Sequence, residues 1–272
     1  DLLIGDINQD GIDDLVVGSP RMMVNQTNTE GYVHIFYGQE SVLGNLTVDD
    51  ADVEINGAHN TDNHRDNGAG LTIADFNNDT VMDIGIGHPD SESPDPIASS
   101  GYTGGYSLFF GPLAASLAGE DADVVINSMN GSEDLGSEAV AADFNGDGIM
   151  DIAIGDEEGR YNATEDGDPL SDAGAVYIFF GPNMASGDIT DADVTINGVV
   201  QHETVGRALA TGDYNDDGIT DLVIGAEHDI NSEFGYVYIF NGRTTWSSDL
   251  TTGDADTSLT NSILESGFGS KL

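Results

Sequence analysis

The stretch Asp143–Gly155, DFNGDGIMDIAIG, decides the fold of this 272-residue chain. Oxygen-bearing side chains stand at alternate positions in its first half, at Asp143, Asn145 and Asp147, and Asp151 follows. On a tightly curled loop, alternate spacing points successive oxygens inward, where they can replace the water around a hard cation such as Ca²⁺. The glycine inside the loop permits the positive φ that the curl needs. Because Asp, Asn and Gly also dominate ordinary turns, a single loop of this kind would leave both interpretations open.

The same string occurs four times at a nearly constant interval. It recurs as DINQDGIDDLVVG from Asp6, DFNNDTVMDIGIG from Asp75 and DYNDDGITDLVIG from Asp213. Successive first aspartates are 69, 68 and 70 residues apart. A fixed period longer than about 50 residues fits propeller blades better than the shorter helical or leucine-rich repeats of solenoids.

Each repeat predicts four short strands. In the second repeat, Ala69–Ala74 leads into the Asp-rich loop and Met82–Gly87 leads out of it, so the loop is the turn of a hairpin. Gly105–Phe110 and Ala122–Asn127 complete the unit. Tyr, Val, Ile and Phe between flanking glycines are typical of strands, and no helical period is sustained. The sequence therefore predicts an all-β protein, a β-propeller of four-stranded blades.

The repeats divide the chain into one propeller region. They cover approximately residues 1–66, 67–134, 135–204 and 205–266, and residues 267–272, GFGSKL, match the start of a further blade. The chain therefore carries parts of five first strands but four of every other strand. A closed four-bladed ring would need no such surplus, so we expect a segment of a larger propeller.

The composition is strongly acidic. There are 50 acidic residues against 6 basic ones, for a net charge of −44, and Lys271 is the only lysine. Repulsion excludes nucleic acid and anionic membrane as partners. The composition suits a halophilic protein, because concentrated salt screens self-repulsion; an ordinary acidic secreted protein is the alternative. The chain has no cysteine, and no apolar run approaches the about 18 residues that would insert in a membrane.

The sequence lacks the features of two other kinds of site, an EF-hand and a catalytic centre. An EF-hand needs a bidentate Glu at about position 12 and flanking helices, whereas that position here holds Val17, Ile86, Ile154 and Ile224. A catalytic site would need a recognisable constellation, but the chain has no Gly-x-Ser-x-Gly elbow and no His-Glu-x-x-His, and its six histidines are scattered. Among these, His202–Glu203 reads only as a loop pair.

The repeats resemble FG-GAP repeats, the blades of the integrin α-subunit β-propeller. The Asp-x-Asp/Asn-x-Asp-Gly-x-x-Asp loop is the most specific shared feature. The FG element appears as Phe268–Gly269, with Leu135–Gly136 and Val205–Gly206 as looser counterparts. The counterparts of the GAP element, none of them verbatim, are Gly18–Ser19–Pro20, Gly87–His88–Pro89, Gly155–Asp156–Glu157 and Gly225–Ala226–Glu227.

The resemblance implies a roughly seven-bladed propeller that binds about one Ca²⁺ per loop on one face. The implied side-chain ligands are Asp6, Asn8, Asp10 and Asp14; Asp75, Asn77, Asp79 and Asp83; Asp143, Asn145, Asp147 and Asp151; and Asp213, Asn215, Asp217 and Asp221. The implied carbonyl ligands are Ile12, Val81, Ile149 and Ile219. The second loop departs from the pattern, since Thr80 replaces the glycine. A β-branched residue resists positive φ, so we expect that site to be weaker or reshaped.

The resemblance further implies a non-catalytic binding or cell-adhesion module, extracellular or on the cell surface, with a protein or glycan ligand on the face opposite the cation loops. The variable loops predicted there are Ser19–Glu30, His88–Thr103, Asp156–Ala173 and Ala226–Phe234. Binding sites favour variable loops on a rigid frame, so we expect Tyr102, Arg160 and Tyr161 to anchor the partner. The alternative is a propeller attached to, or forming part of, a secreted hydrolase or lyase, phospholipase D-like or polysaccharide lyase-like.

Overall fold

The chain is all-β and folds as four β-propeller blades. The computed structural model describes residues 1–25, 28–40, 44–57, 68–89, 104–129, 134–159, 172–227, 235–261 and 268–272. Within these residues each blade is a sheet of four antiparallel strands, and the predicted first and second strands of each repeat pair through the predicted hairpin. The prediction of fold class is confirmed.

The strands follow the order of the repeats. The first blade contains β1 (Leu2–Gly5), β2 (Asp14–Asn25), β3 (Asn28–Phe36) and β4 (Val53–Asn56). The second contains β5 (Ala69–Ala74), β6 (Asp83–Gly87), β7 (Gly105–Phe109) and, after β8 (Ser116–Ala118), β9 (Val124–Asn127). The third contains β10 (Ala139–Ala142), β11 (Asp151–Asp156), β12 (Ala175–Phe179) and, after β13 (Gly187–Asp188), β14 (Val194–Asn197). The fourth contains β15 (Ala208–Gly212), β16 (Asp221–Glu227), β17 (Gly235–Phe240) and, after β18 (Asp249–Thr251), β19 (Thr257–Thr260).

The short strands β8, β13 and β18 join neighbouring blades. Each lies in the connection between the third and fourth strands of one blade and pairs in parallel with the fourth strand of the preceding blade, as β4–β8, β9–β13 and β14–β18. A single 3₁₀ turn precedes each fourth strand, at Val48–Asp50, Gly119–Asp121, Ile189–Asp191 and Thr252–Asp254. The connections that the sequence leaves as plain linkers therefore contribute backbone hydrogen bonds between blades.

Alternate side chains of the two middle strands of a blade pack into different interfaces, one with the preceding blade and one with the following blade. In the third blade, Ile152 and Ile154 pack toward the second blade, whereas Ala153 packs toward the fourth. On the next strand, Tyr177 and Val176 are divided in the same way. Successive side chains on a strand point to opposite faces. A strand in a blade that is covered on both faces therefore has apolar residues at successive positions. This accounts for the apolar sequences of the second strands.

Glycines permit a close backbone approach at each junction between blades. A Cβ added at Gly155 would lie 2.2 Å from the carbonyl oxygen of Gly206, whose φ of +93° favours glycine. The same approach joins Gly18 to Gly68, Gly87 to Gly136, and Gly225 to Gly269. The first glycine of the GAP position thus packs on the glycine of the FG position in the following repeat. Residues 268–272 begin that following repeat against the fourth blade.

The inner strands of the four blades line a common open cavity. β5 contacts both β1 and β10, and β10 contacts β15. The cavity has a volume of about 260 Å³, and its walls include Leu3, Leu71, Val140 and Thr211, one residue from each blade. Four inner strands arranged about a common space are the arrangement expected at a propeller axis.

The two terminal blades each present an outer face that no other described blade covers. The residue after the first aspartate of each cation loop packs between blades as Ile7, Phe76 and Phe144, but its fourth counterpart, Tyr214, is 65% exposed. At the other end, Leu2 and Ile4 are exposed. The four blades therefore form an array with two free faces within the described residues.

One predicted loop is extended in the structure. Residues Ser19–Glu30 were expected as a variable loop, but β2 continues to Asn25 and β3 begins at Asn28. The two strands stay paired through shifts in register, as far as Asn25 opposite Asn28. A long run of paired backbone satisfies its own hydrogen bonds, so this connection is a hairpin arm rather than an irregular loop.

Candidate metal centres

All four cation loops are hairpin turns between the first and second strands of their blades, and neighbouring loops lie side by side. The Gln9 side chain of the first loop donates to the carbonyl oxygen of Thr80 in the second, over 2.6 Å. In the third and fourth loops, the Ile219 side chain lies 3.1 Å from the position that a Cβ on Gly146 would occupy. Carboxylates predicted as ligands are therefore concentrated at one end of the blades.

Internal hydrogen bonds give the four loops a common shape. In the third loop, the two carboxylate oxygens of Asp143 accept from the backbone N–H groups of Asp147 and Gly148, at 3.1 and 2.8 Å. The side-chain oxygen of Asn145 also accepts from Asp147, at 2.8 Å, and Asp147 Oδ1 accepts from the N–H of Ile149, at 2.8 Å. The first, second and fourth loops repeat these four bonds at 2.8–3.0 Å.

The last aspartate of each loop is buried and ties the loop to two other segments. Asp151 Oδ2 accepts from the N–H of Phe144 at 2.9 Å, and its Oδ1 accepts from the N–H of Gly181, after the third strand, at 3.1 Å. The equivalent residues Asp14, Asp83 and Asp221 make the same two kinds of bond. All four are at most 1% exposed. A carboxylate bonded to backbone N–H groups on both oxygens holds the hairpin and the third strand together.

These buried carboxylates have no basic partner among the described ion pairs, which involve none of the predicted loop ligands. Burial, with smaller contributions from the carboxylates of Asp143 and Asp147, raises the pKa of Asp151 to about 7, although the backbone hydrogen bonds to it act in the opposite direction. Burial likewise raises the pKa of Asp83. A buried anion is costly unless a positive charge or strong hydrogen bonds compensate it. The donor set, hard oxygens around an anion that has hydrogen bonds but no basic partner among the described ion pairs, fits a divalent cation.

The described residues contain no group of three acidic, imidazole or thiol side chains already gathered as a metal site. The hydrogen bonds explain this arrangement. The first two carboxylates of each loop accept from loop N–H groups, and the side-chain amides of Asn8, Asn77 and Asn215 donate to the next aspartate. Each carboxylate oxygen has two lone pairs, so these bonds leave acceptor capacity for a cation.

The second loop keeps the common shape despite Thr80. This residue adopts φ +72°, close to the +87° of Gly148 at the equivalent position. Its N–H donates to Asp75 at 2.9 Å, as the glycine N–H groups do in the other loops. The substitution therefore leaves the hydrogen-bond pattern of the loop unchanged, and the expected weaker affinity stays a prediction. The left-handed conformation is maintained at a steric cost that glycine does not have.

Replacing Thr80 by glycine should stabilise the protein. The left-handed region costs a residue with a Cβ about 1–2 kcal/mol, partly offset by the greater freedom of glycine in the unfolded chain. We expect Thr80→Gly to raise the free energy of unfolding by about 1 kcal/mol, measured by urea titration at fixed salt and calcium. The matched reverse change, Gly148→Thr, should lower it by a similar amount. A Thr80→Gly protein less stable than the parent would contradict this account.

A second set of aspartates has a structural role that sequence reasoning missed. Asp52 Oδ2 accepts from the N–H of Tyr37, at the end of the third strand, at 2.7 Å. Asp123, Asp193 and Asp256 do the same for Phe110, Phe180 and Asn241, at 2.8–2.9 Å. The signal was present in the recurring triplet Ala-Asp-Val or Ala-Asp-Thr before each fourth strand. These carboxylates fix the third and fourth strands to each other.

The partner residues predicted on the opposite face cannot be placed in the same way. Tyr102, Arg160 and Tyr161 lie outside the described residues, as do all of residues 90–103, 160–171 and 228–234. No helix within the described part of the chain is long and apolar enough to cross a bilayer.

A known repeat family matches two of the four repeats of this chain. The model of the FG-GAP repeat family matches residues 1–36 and 205–240, each of which holds one cation loop with the strands on either side. Two of the four repeats, the first and the fourth, therefore match the FG-GAP repeat. The predicted resemblance is confirmed at these two places, in the first and the fourth repeat.

The chain is also similar to parts of much longer proteins. Phosphatidylinositol-glycan-specific phospholipase D of Bos taurus is 32% identical over 151 residues, which cover 55% of this chain and 17% of that protein. Integrin alpha-5 of Xenopus laevis is 32% identical over 111 residues, which cover 40% of this chain and 10% of that protein. Among solved structures, the rhamnogalacturonan lyase YesW aligns with 96% of this chain and 52% of its own, at a TM-score of 0.44 and 11% identity.

Proposed function

We propose that this FG-GAP segment is a calcium-stabilised, non-catalytic binding module that works outside the cell or at its surface. The observation that carries the proposal is the fourfold repetition of one loop geometry, each loop ending in a buried aspartate with no basic partner among the described ion pairs. Ca²⁺ accepts 6–8 oxygen ligands in an irregular shell. Three carboxylates, one amide and one carbonyl per loop supply most of that number, and water can supply the rest.

The ligands would be the residues predicted from the sequence. In the third loop these are Asp143, Asn145, Asp147 and Asp151, with the carbonyl of Ile149. Calcium supplies the positive charge that the buried carboxylate lacks and holds the hairpin closed. Calcium outside cells is abundant enough to fill extracellular modules of modest affinity, which supports an extracellular location.

The binding role follows from the same frame. One end of every blade is fixed by its predicted cation loop and by the aspartate that precedes its fourth strand. The connections at the other end differ in length and sequence. Variable connections on a rigid frame are where binding sites concentrate. The ligand of this module would be a protein or a glycan at that end. The similarity to integrin alpha-5 supports an adhesion role, and the similarity to a phospholipase D supports the alternative of a propeller attached to a hydrolase.

Calorimetric titration tests the calcium proposal. Protein freed of metal with a chelator and then titrated with Ca²⁺ should take up one ion per loop, and Mg²⁺ should bind more weakly because it demands a regular octahedral shell. Asp147→Asn should lower the number of tightly bound Ca²⁺ ions by one. The matched control is Asp216→Asn, the same charge change at an exposed, non-ligand position of the fourth loop, and it should leave the stoichiometry unchanged. Absence of calcium uptake would overturn the proposal.

A further inference from the structure

A pocket lies at the boundary between the third and fourth blades, away from the cation loops. Its volume is about 340 Å³. One wall is the connection between β14 and β15, with Val199 and Val200; the other is formed by Tyr236 and Tyr238 on β17. Because each first strand runs toward its cation loop, the connection that precedes it lies at the opposite end of the blade. The pocket is therefore at the end where we place ligand binding.

The two middle blades lack this aromatic wall, whereas the first blade has a comparable stack of Tyr32 on His34, with ring centroids 5.8 Å apart. Tyr236 and Tyr238 point to the same side of β17, and their rings are stacked with centroids 5.8 Å apart and planes 7° apart. In the third blade the position of Tyr236 is taken by Ala175, and in the second blade by Gly105. The valines opposite keep 43% and 46% of their surface exposed, so apolar surface borders the opening.

Glu203 gives the pocket a buried negative charge. Only 1% of this residue is exposed, yet it is among the lining residues. Its Oε1 accepts from the Tyr238 hydroxyl at 2.6 Å, and its Oε2 accepts from the N–H groups of Val199 and Val200 at 2.8 and 3.0 Å. All three of these donors are neutral. They solvate the carboxylate without cancelling its charge.

The surroundings keep this charge uncompensated. None of the described residues that line the pocket is basic; the polar remainder includes Thr252, Ser258 and Thr260. Burial, followed by the neighbouring Glu203 carboxylate, raises the pKa of Tyr238, so its hydroxyl stays protonated and keeps donating. The nearby cation Arg207 is already paired with Glu157 and Glu227, at 3.3 Å each. The net charge of −44 adds to the negative potential.

We propose that this pocket binds an organic cation, an alkylammonium group seated against the Tyr236 and Tyr238 rings and attracted by the Glu203 carboxylate. Aromatic faces attract cations through the ring quadrupole, and aromatic pockets commonly recognise quaternary ammonium groups. The methyl groups of such a cation match the exposed valines, and its charge matches the carboxylate. Inorganic cations gain little from an apolar wall. This assignment goes beyond the proposed function and does not depend on occupied calcium loops.

The test is a titration of calcium-saturated protein with choline, in enough NaCl to screen diffuse attraction to the acidic surface. Its neutral isostere, 3,3-dimethyl-1-butanol, has the same shape without the charge. We expect saturable one-to-one binding of choline and roughly tenfold weaker binding of the isostere. Tyr236→Ala, which copies the residue of the third blade, should weaken choline binding roughly tenfold. Tyr32→Ala, the equivalent change in the first blade, should leave it unchanged.

Three results would overturn the assignment. Equal affinity for choline and the neutral isostere would mean that the pocket recognises shape alone. Choline binding that does not saturate, or that Tyr236→Ala and Tyr32→Ala reduce equally, would reflect diffuse attraction to an acidic chain. Saturable binding of a methyl glycoside with none of choline would make the pocket a glycan site. Since calcium is saturating throughout, each result leaves the calorimetric test of the loops unaffected.

Discussion

Removing calcium is expected to lower the stability of this protein more than any single substitution. A ligand that binds only the folded state at about 100 times its dissociation constant contributes about 2.7 kcal/mol per site. Four independent loops would contribute about 11 kcal/mol, comparable with the whole stability of a typical domain. Each empty loop also leaves three carboxylates close together at the end of a hairpin, within a chain of net charge −44.

Thermal unfolding followed by circular dichroism checks this expectation. Protein in excess chelator should unfold at a much lower temperature than protein in millimolar Ca²⁺, and adding back Ca²⁺ should restore the original curve. Molar NaCl should recover part of the loss, because the Debye length falls to about 3 Å and repulsion between exposed carboxylates is screened. NaCl should not recover the part of the lost stability that comes from binding of Ca²⁺ to the loops. A melting curve indifferent to both chelator and salt would contradict the calcium sites and the argument from surface charge together.

The hairpins that carry the predicted cation loops could be predicted from the sequence because their information is local. From Asp143 to Asp151, every residue that shapes the loop lies within nine positions of the first aspartate, and the apolar run that follows specifies a strand. The second loop shows the tolerance of the pattern, since Thr80 takes the left-handed conformation without changing the hydrogen bonds. The strands bounding these loops were predicted to within two residues in the second blade.

The contacts that join distant segments could not be predicted. The aspartate that closes each loop bonds to a glycine after the third strand, and this glycine is 24, 28, 30 or 21 residues away in the four blades. A pair without fixed spacing leaves no periodic signal. The short strands β8, β13 and β18 pair with a different blade, so neither alternation nor turn residues indicate them. Glu203 was interpreted only as part of a loop pair, and its burial against Tyr238 depends on a contact 35 residues away in sequence.

Truncation to alanine should have very different effects on stability at Phe144 and Tyr214, which occupy the same position in neighbouring repeats. Phe144 is fully buried between the third and fourth blades, whereas Tyr214 is 65% exposed on the outer face of the fourth. Truncating a buried phenylalanine removes its transfer free energy and leaves a cavity, a loss of about 3–5 kcal/mol. We expect Phe144→Ala to cost that amount and Tyr214→Ala to cost less than about 1 kcal/mol. Urea unfolding in saturating calcium would measure both.

The stability losses of the two variants can be compared directly because both substitutions leave the backbone hydrogen bonds of the loop in place. The carbonyl of Phe144 accepts from the N–H of Arg243 and from the indole of Trp246, at 3.0 and 3.1 Å, and alanine keeps that carbonyl. In Tyr214→Ala the N–H bond to Asp221 is retained in the same way. Any difference in cost therefore reports how well each ring is covered. Equal losses of several kcal/mol would mean that the outer face of the fourth blade is packed against another surface in solution, and sedimentation of the parent protein would then show whether that surface belongs to a second copy.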